Sequence, residues 1–289
     1  MSEIASSNVY IQESLNNSLA ELEEELEADT ATFIAPIREP FDSILRDVIE
    51  SKKDKRKNAS IILETNGGYI EVAERISNIL RNHYPVVDFV IPDHAFSAGT
   101  VLALSGNDIW MDYFSVLGPI DPQISIAGRM VPALGYVEKF NQLMRKADEG
   151  QLNTAEMAYL IEKFDPAEIY HFEEAKQLSV DLLKDWLVKY KFKSWKTTES
   201  TKRKVTIEMK RHRAEEIAKR SGDPSYWHSH SRGINKEVLQ KDVGLLIQDF
   251  RTVPDLFLRL DRYYRFLKDY LMRRGHETVI HMGNEFISQ

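Results

Sequence analysis

Apolar residues recur at two different periods along the chain, and the changes of period mark its organisation. Near the start, Ile11, Leu15, Leu19, Leu22 and Leu26 are spaced by three and four residues, which lines them along one stripe of an amphipathic helix. Such a stripe docks on its own domain or a sister subunit, or serves as a partner-binding arm. Residues 30–40 break the pattern, and Pro36 and Pro40 mark a linker. From Phe41 onward, short apolar runs alternate with helix-period segments, the texture of βα units around a mostly parallel sheet. The run SIILET (60–65) reads as a buried strand, 69–83 as a helix and 86–91 as the next strand. A third unit follows, with a helix at 98–105, a short strand at 108–111 and another at 115–119.

Beyond Pro132 the pattern is mainly helical. Helices are expected at 133–148 and at 154–190, the second interrupted at Pro166. A charged helix spans 202–220, a small helix 235–241 leads into a strand at 244–247, and an amphipathic helix at 254–273 closes the pattern.

Composition fits this reading. With 289 residues, 43% hydrophobic and 29% charged, the chain can bury a core as one or two soluble domains. The net charge of −7 is unevenly placed: residues 1–30 hold eight carboxylates and no Lys or Arg, which leaves the remainder close to neutral. Neither part has the positive field that holds a polyanion. The basic residues of 202–220 are interleaved with Glu208, Glu215 and Glu216, so that helix reads as a solvated face and no nucleic-acid partner is expected. Cys is absent, which excludes a thiol nucleophile and thiolate metal sites. The start has no basic and apolar leader, and no run of about 18 apolar residues occurs. A cytoplasmic protein without a membrane span is expected.

Two clusters of small residues follow two expected strands. Gly67 and Gly68 come directly after SIILET, and Ser97-Ala98-Gly99-Thr100 comes shortly after the strand at 86–91. Loops at the carboxyl ends of parallel strands share one edge of the sheet, so the clusters should face each other. A serine entering a helix there would act as a nucleophile beside free backbone N–H groups. Ala98 N–H is the natural oxyanion donor, with a second from Gly67 or Gly68. Each cluster also has an ordinary role, Ser97 as a helix cap and the glycines as a tight turn.

The segments LETNGGYIEVAERISNILRNHY, VIPDHAFSAGTVLALSGNDIWMD, SVLGPIDPQI, LLKDWLVKYKF and HSHSRGI resemble the serine dehydrogenase proteinase family, a branch of the Clp protease and crotonase superfamily. The resemblance runs from about Phe41 to Phe250. It implies an α/β fold of stacked ββα units with long additional helices, divided into an acidic helical arm and linker (1–40), a peptidase domain (41–250) and a C-terminal helical extension (251–289). It implies a serine endopeptidase with Ser97 as nucleophile and Gly67, Gly68 and Ala98 around the oxyanion hole, acting on polypeptides within a homo-oligomer.

The general base stays open. Where Clp proteases carry their triad His, this chain reads SVLGPIDPQ, with Asp121 nearest. A related membrane-associated branch uses a Ser-Lys dyad about forty residues apart, which points to Lys139. That role requires Lys139 to be buried beside Ser97, so that desolvation lowers its pKa. His228 and His230 fall where Clp proteases place the triad Asp, and imidazole needs little adjustment to act as a base.

No cofactor is implied: neither GxGxxG nor GxxxxGK[ST] occurs, and His228 with His230 is too small a set for a metal. Two other functions fit parts of the pattern. A crotonase-like acyl-CoA enzyme would use the oxyanion hole without Ser97, and a degenerate protease would serve as an adaptor through its acidic arm.

Overall fold

A computed structural model describes residues 7–120, 123–126, 129–198, 201–222 and 233–289. Helix α1 (Ser7–Glu25) leads into strand β1 (Asp29–Ile34), then α2 (Phe41–Ser51), β2 (Asn58–Glu64), α3 (Ile70–His83) and β3 (Val86–Val90). The next stretch is short-stepped: β4 (His94–Ala95), α4 (Ala98–Ala103), β5 (Ile109–Met111) and β6 (Val116–Leu117). A hairpin of β7 (Gln123–Ile126) and β8 (Arg129–Pro132) precedes α5 (Ala133–Asp148), α6 (Thr154–Lys163) and α7 (Pro166–Trp186), which continues as a π-helical turn, Leu187–Lys191. Then come α8 (Ile207–Ser221), β9 (Ile234–Asn235), α9 (Lys236–Val238), β10 (Gln248–Asp249) and α10 (Pro254–Arg274). A hairpin of β11 (Val279–Met282) and β12 (Glu285–Ser288) follows.

The main sheet has seven strands in the order β10-β5-β3-β2-β1-β11-β12. The first five run parallel, and β11 and β12 pair antiparallel at one side. Both faces are covered, as an all-parallel core requires. Along β2 the alternation is plain. Ile61 and Leu63 join a core with Leu45 and Ile49 of α2, Ile76 and Leu80 of α3 and Val101 of α4. Ile62 points the other way, into a core with Leu15, Leu19 and Leu22 of α1 and Leu260, Tyr263 and Leu267 of α10.

Two expected boundaries are therefore corrected. Residues 29–34 form a fully buried strand at the heart of the sheet, not part of a linker. Its polar residues disguise it: Thr32 is bonded to the Tyr263 hydroxyl at 2.7 Å, and Asp29 accepts from Tyr84 at 3.0 Å. Residues 251–289 are no helical appendage either, because β11 pairs with β1 and α10 packs on α1. Glu21 of the acidic helix meets Arg259 and Arg262 of α10 at 3.4 and 3.1 Å. The arm docks on its own chain.

Smaller differences have local causes. Pairing at 244–247 does not occur, since Gly244 in the left-handed region ends a π-helical turn and the strand begins at Gln248. Helix α8 starts five residues later than expected, where Thr206 caps it by accepting from Met209 N at 3.3 Å. Asp165 caps α7 in the same way, with Pro166 at its first position, the placement at which a missing N–H costs nothing. Among the described residues no helix is long and apolar enough to cross a membrane.

Candidate active site

Beside the carboxyl ends of β2 and β3 lies a second, three-stranded sheet, β4-β6-β9, and the two small-residue clusters meet at this junction. Thr65 N donates to His94 O at 3.1 Å and Phe96 N to Thr65 O at 2.9 Å, so the segment after β2 is laced to β4. The chain then turns at Ser97 with φ 53° and ψ −119°. A non-glycine residue held there costs on the order of 1–3 kcal/mol and persists only when its surroundings impose it.

The surroundings can be named. Thr100 Oγ1 lies 2.8 Å from Ala95 O and 2.9 Å from Gly118 O, and accepts from Gly118 N at 3.0 Å. One hydroxyl thus ties α4 to both β4 and the end of β6. Ser97 does not cap α4 with its side chain; Gly99 N donates to Phe96 O instead, at 2.8 Å. The capping role that a serine at this position commonly has is therefore not what fixes it here. Its side chain is buried.

Gly67 and Gly68 are glycines of necessity. A Cβ on Gly67 would stand 2.7 Å from Phe96 O and 2.9 Å from Ser97 Cβ, and one on Gly68 would stand 2.1 Å from Ile37 O. Both have positive φ, 96° and 154°. Their backbone is pinned on one side by Ile37, whose N–H donates to Gly67 O at 2.9 Å and whose carbonyl accepts from Tyr69 at 2.8 Å. Gly67 N–H is occupied, donating to Thr65 Oγ1 at 3.0 Å. Among the described residues, neither Gly68 N–H nor Ala98 N–H has an acceptor. Two such donors beside a buried serine at positive φ are what an acyl-transfer site would need.

Of the expected bases, only Lys139 lies within the described residues. Lys139 is exposed on α5 and donates to Gln142 Oε1 at 3.0 Å. The burial that its role was expected to require is not found in the single chain. The physical reason is that, from Gly135 onward, α5 buries just Leu143, so nothing desolvates its outer face. His228, His230 and Asp121 lie outside the described residues.

Sequence reasoning gave no separate role to Thr65, Thr100 or Ile37, which act through main-chain partners: Gly67 for Thr65, Ala95 and Gly118 for Thr100, Gly67 and Tyr69 for Ile37. It also missed a charged cluster beneath the glycine turn. A carboxylate oxygen of Glu64, one of Asp93 and a ring nitrogen of His94 lie within 4.8 Å of one another. Glu64 is already engaged by Lys268 at 2.6 Å and by the Tyr264 hydroxyl, so the cation of this cluster is an ammonium group.

The architecture is ClpP-like. A family model described as the ClpP-like SDH-type serine proteinase matches residues 33–203, more than half of the chain, and the protein belongs to that family. Two curated relatives are uncharacterized proteins of Methanocaldococcus jannaschii (strain ATCC 43067 / DSM 2661 / JAL-1 / JCM 10045 / NBRC 100440). MJ0137 is 35% identical over 121 residues, 42% of this chain and 40% of the relative. MJ1495 is 33% identical over 92 residues, 32% of this chain and 30% of the relative. The match thus spans less than half the length of either. Among solved structures, a mutant of the membrane-bound stomatin-specific protease 1510-N with a substrate peptide covers 80% of both chains at a TM-score of 0.44 and 15% identity. A second mutant of it covers 62% of this chain and 90% of its own at 0.32 and 18%.

Proposed function

We propose that the protein is a serine endopeptidase that cleaves polypeptides through an acyl-enzyme at Ser97. The observation that carries this reading is the conjunction of Ser97 at φ 53° with the unengaged N–H groups of Gly68 and Ala98. Ser97 Oγ attacks the peptide carbonyl carbon while its proton passes to a base. The carbonyl π electrons move onto oxygen, which the two N–H groups receive. Collapse expels the amine, protonated by the same base, and water then repeats the sequence on the ester. Gly67 supports the hole from behind through Thr65 rather than donating to it.

The base is Lys139 or a histidine at 228 or 230. Exposure of Lys139 in the single chain makes its role conditional on cover, which a second copy of the chain would provide in a homo-oligomer. The same exposure is what favours the rival reading, a degenerate protease acting as an adaptor. The compartment proposed is the cytoplasm.

The test is labelling with a fluorophosphonate probe in wild type and in Ser97→Ala, Lys139→Ala and His230→Ala, followed by digestion to locate the adduct. Label confined to Ser97 and lost in one base variant supports the peptidase and names its base. A folded wild type that takes no label sinks it in favour of the adaptor.

A further inference from the structure

At the end of β2 the alternation of side chains divides the work between the two faces of the sheet. Thr65 faces α4, where its methyl group lies against Gly99 and its hydroxyl holds Gly67 N–H. Glu64 faces α10, where Lys268 Nζ sits 2.6 Å from Oε1 and the Tyr264 hydroxyl donates to Oε2. Tyr264 and Lys268 are one helical turn apart, and both lie beyond the residues that the family model matches. The carboxylate they grip is buried.

The cluster reaches the catalytic turn by a second path. His94 Nδ1 is 3.3 Å from Asp93 Oδ1, and its Nε2 is 3.1 Å from Asn66 Oδ1. Asn66 immediately precedes Gly67, and His94 lies three residues before Ser97. The two segments that form the site, 64–68 and 93–98, are therefore crosslinked by side chains as well as by the main-chain bonds between Thr65, His94 and Phe96.

We propose that α10 is a positioning element for the Ser97 site, with Lys268 and Tyr264 holding Glu64 beside Asp93 so that the Gly67-Gly68 turn keeps its register against Ser97. Glu64 and Asp93 bring two carboxylates into one cluster, and like charges so close repel strongly in a partly buried setting. Asp93 is held below its usual range by its bond to the His94 ring, and Lys268 also acts to lower it. Tyr264 is pushed upward by burial and by Glu64, so its hydroxyl remains a donor. With Lys268 gone, the carboxylates part, the segments separate, and Gly68 N–H moves away from the point where an oxyanion forms. A displacement of this kind slows the chemical step without touching the groups that bind substrate.

This inference rests on the serine-peptidase reading, and its test keeps the two apart. The inactivation constant and the probe dissociation constant are measured with a fluorophosphonate for wild type, Lys268→Met, Lys268→Arg, Tyr264→Phe and Lys268→Met combined with Glu64→Gln. A tenfold or larger fall in the inactivation constant of Lys268→Met, with probe affinity unchanged, is expected. Lys268→Arg should restore it, and so in part should the double variant, because removing the charge of Glu64 removes the repulsion. Tyr264→Phe gives a milder fall and serves if Lys268→Met does not fold. Wild-type inactivation constants in folded Lys268→Met or Tyr264→Phe overturn the proposal while the peptidase stands. A double variant no faster than Lys268→Met also overturns it. A wild type that takes no label at all removes the peptidase reading and this inference with it.

Discussion

Gly67 leaves no room for a side chain beside Ser97: a methyl group on the glycine would stand 2.9 Å from the serine Cβ. Gly67→Ala is therefore expected to cost about 2–3 kcal/mol in a urea titration, from positive φ and the contact with Phe96 O together. It should also lower fluorophosphonate labelling by at least tenfold. Wild-type labelling in this variant would mean that the contact does not govern the site.

Thr65 offers a milder probe of the same turn. Thr65→Val leaves the buried Gly67 N–H without its acceptor at 3.0 Å, a loss of about 1–3 kcal/mol. Thr65→Ser keeps the oxygen and should recover most of it, and chemical denaturation of the pair compares them directly. A loss in Thr65→Ser with none in Thr65→Val would assign the effect to the methyl group that packs on Gly99.

The first helix is expected to be part of the folded body. Leu15, Leu19 and Leu22 are completely buried, so Leu19→Ala should destabilise the protein by about 2–5 kcal/mol. Deleting residues 7–26 should leave α10 without its cover and the protein aggregated. A soluble truncation with wild-type stability would return α1 to the status of a separate arm.

Stability should depend on pH through His281. Burial pushes its pKa down to about 4; the ring is completely enclosed, bonded to Tyr263 at 2.8 Å and to Asn16 at 2.9 Å. Between about pH 6.5 and 4 the unfolded chain binds a proton that the folded one does not, so stability falls as pH falls, by up to about 3 kcal/mol. Asp88 runs the other way. Burial raises it to about 6, so the folded state holds its proton longer, and stability falls as pH rises from about 4 to 6. The two partly cancel, and Asp88→Asn should steepen the acid-side decline measured by urea midpoints at pH 7 and 4.5. An unchanged profile in this variant would refute the assignment.

Much of this molecule was readable from its residues, and the failures share a cause. Helix α5 falls at 133–148 as the periodicity predicts, because its pattern is local. The strand DTATFI was hidden because Asp29 and Thr32 look solvent-facing until partners from residues 56, 84 and 263 are brought to them. At the candidate site, Gly67, Gly68 and Ser97 stand out by residue type. Glu64 does not, since nothing near it in sequence foretells Lys268. The readable part is what a residue does with its neighbours in the chain; the unreadable part is what it does across the fold.

The pairing of Ala31 with Met282 sets an order of events during synthesis. A ribosome that has made Ser97, both glycines and the whole family-matched stretch has not yet made the strand that flanks β1, nor the helix that grips Glu64. Contacts separated by roughly 250 residues form late and slowly. Ser97 is thus translated long before the strand and helix that complete its surroundings, and a half-made chain, among other unfolded polypeptides, carries the serine without the scaffold proposed to aim it.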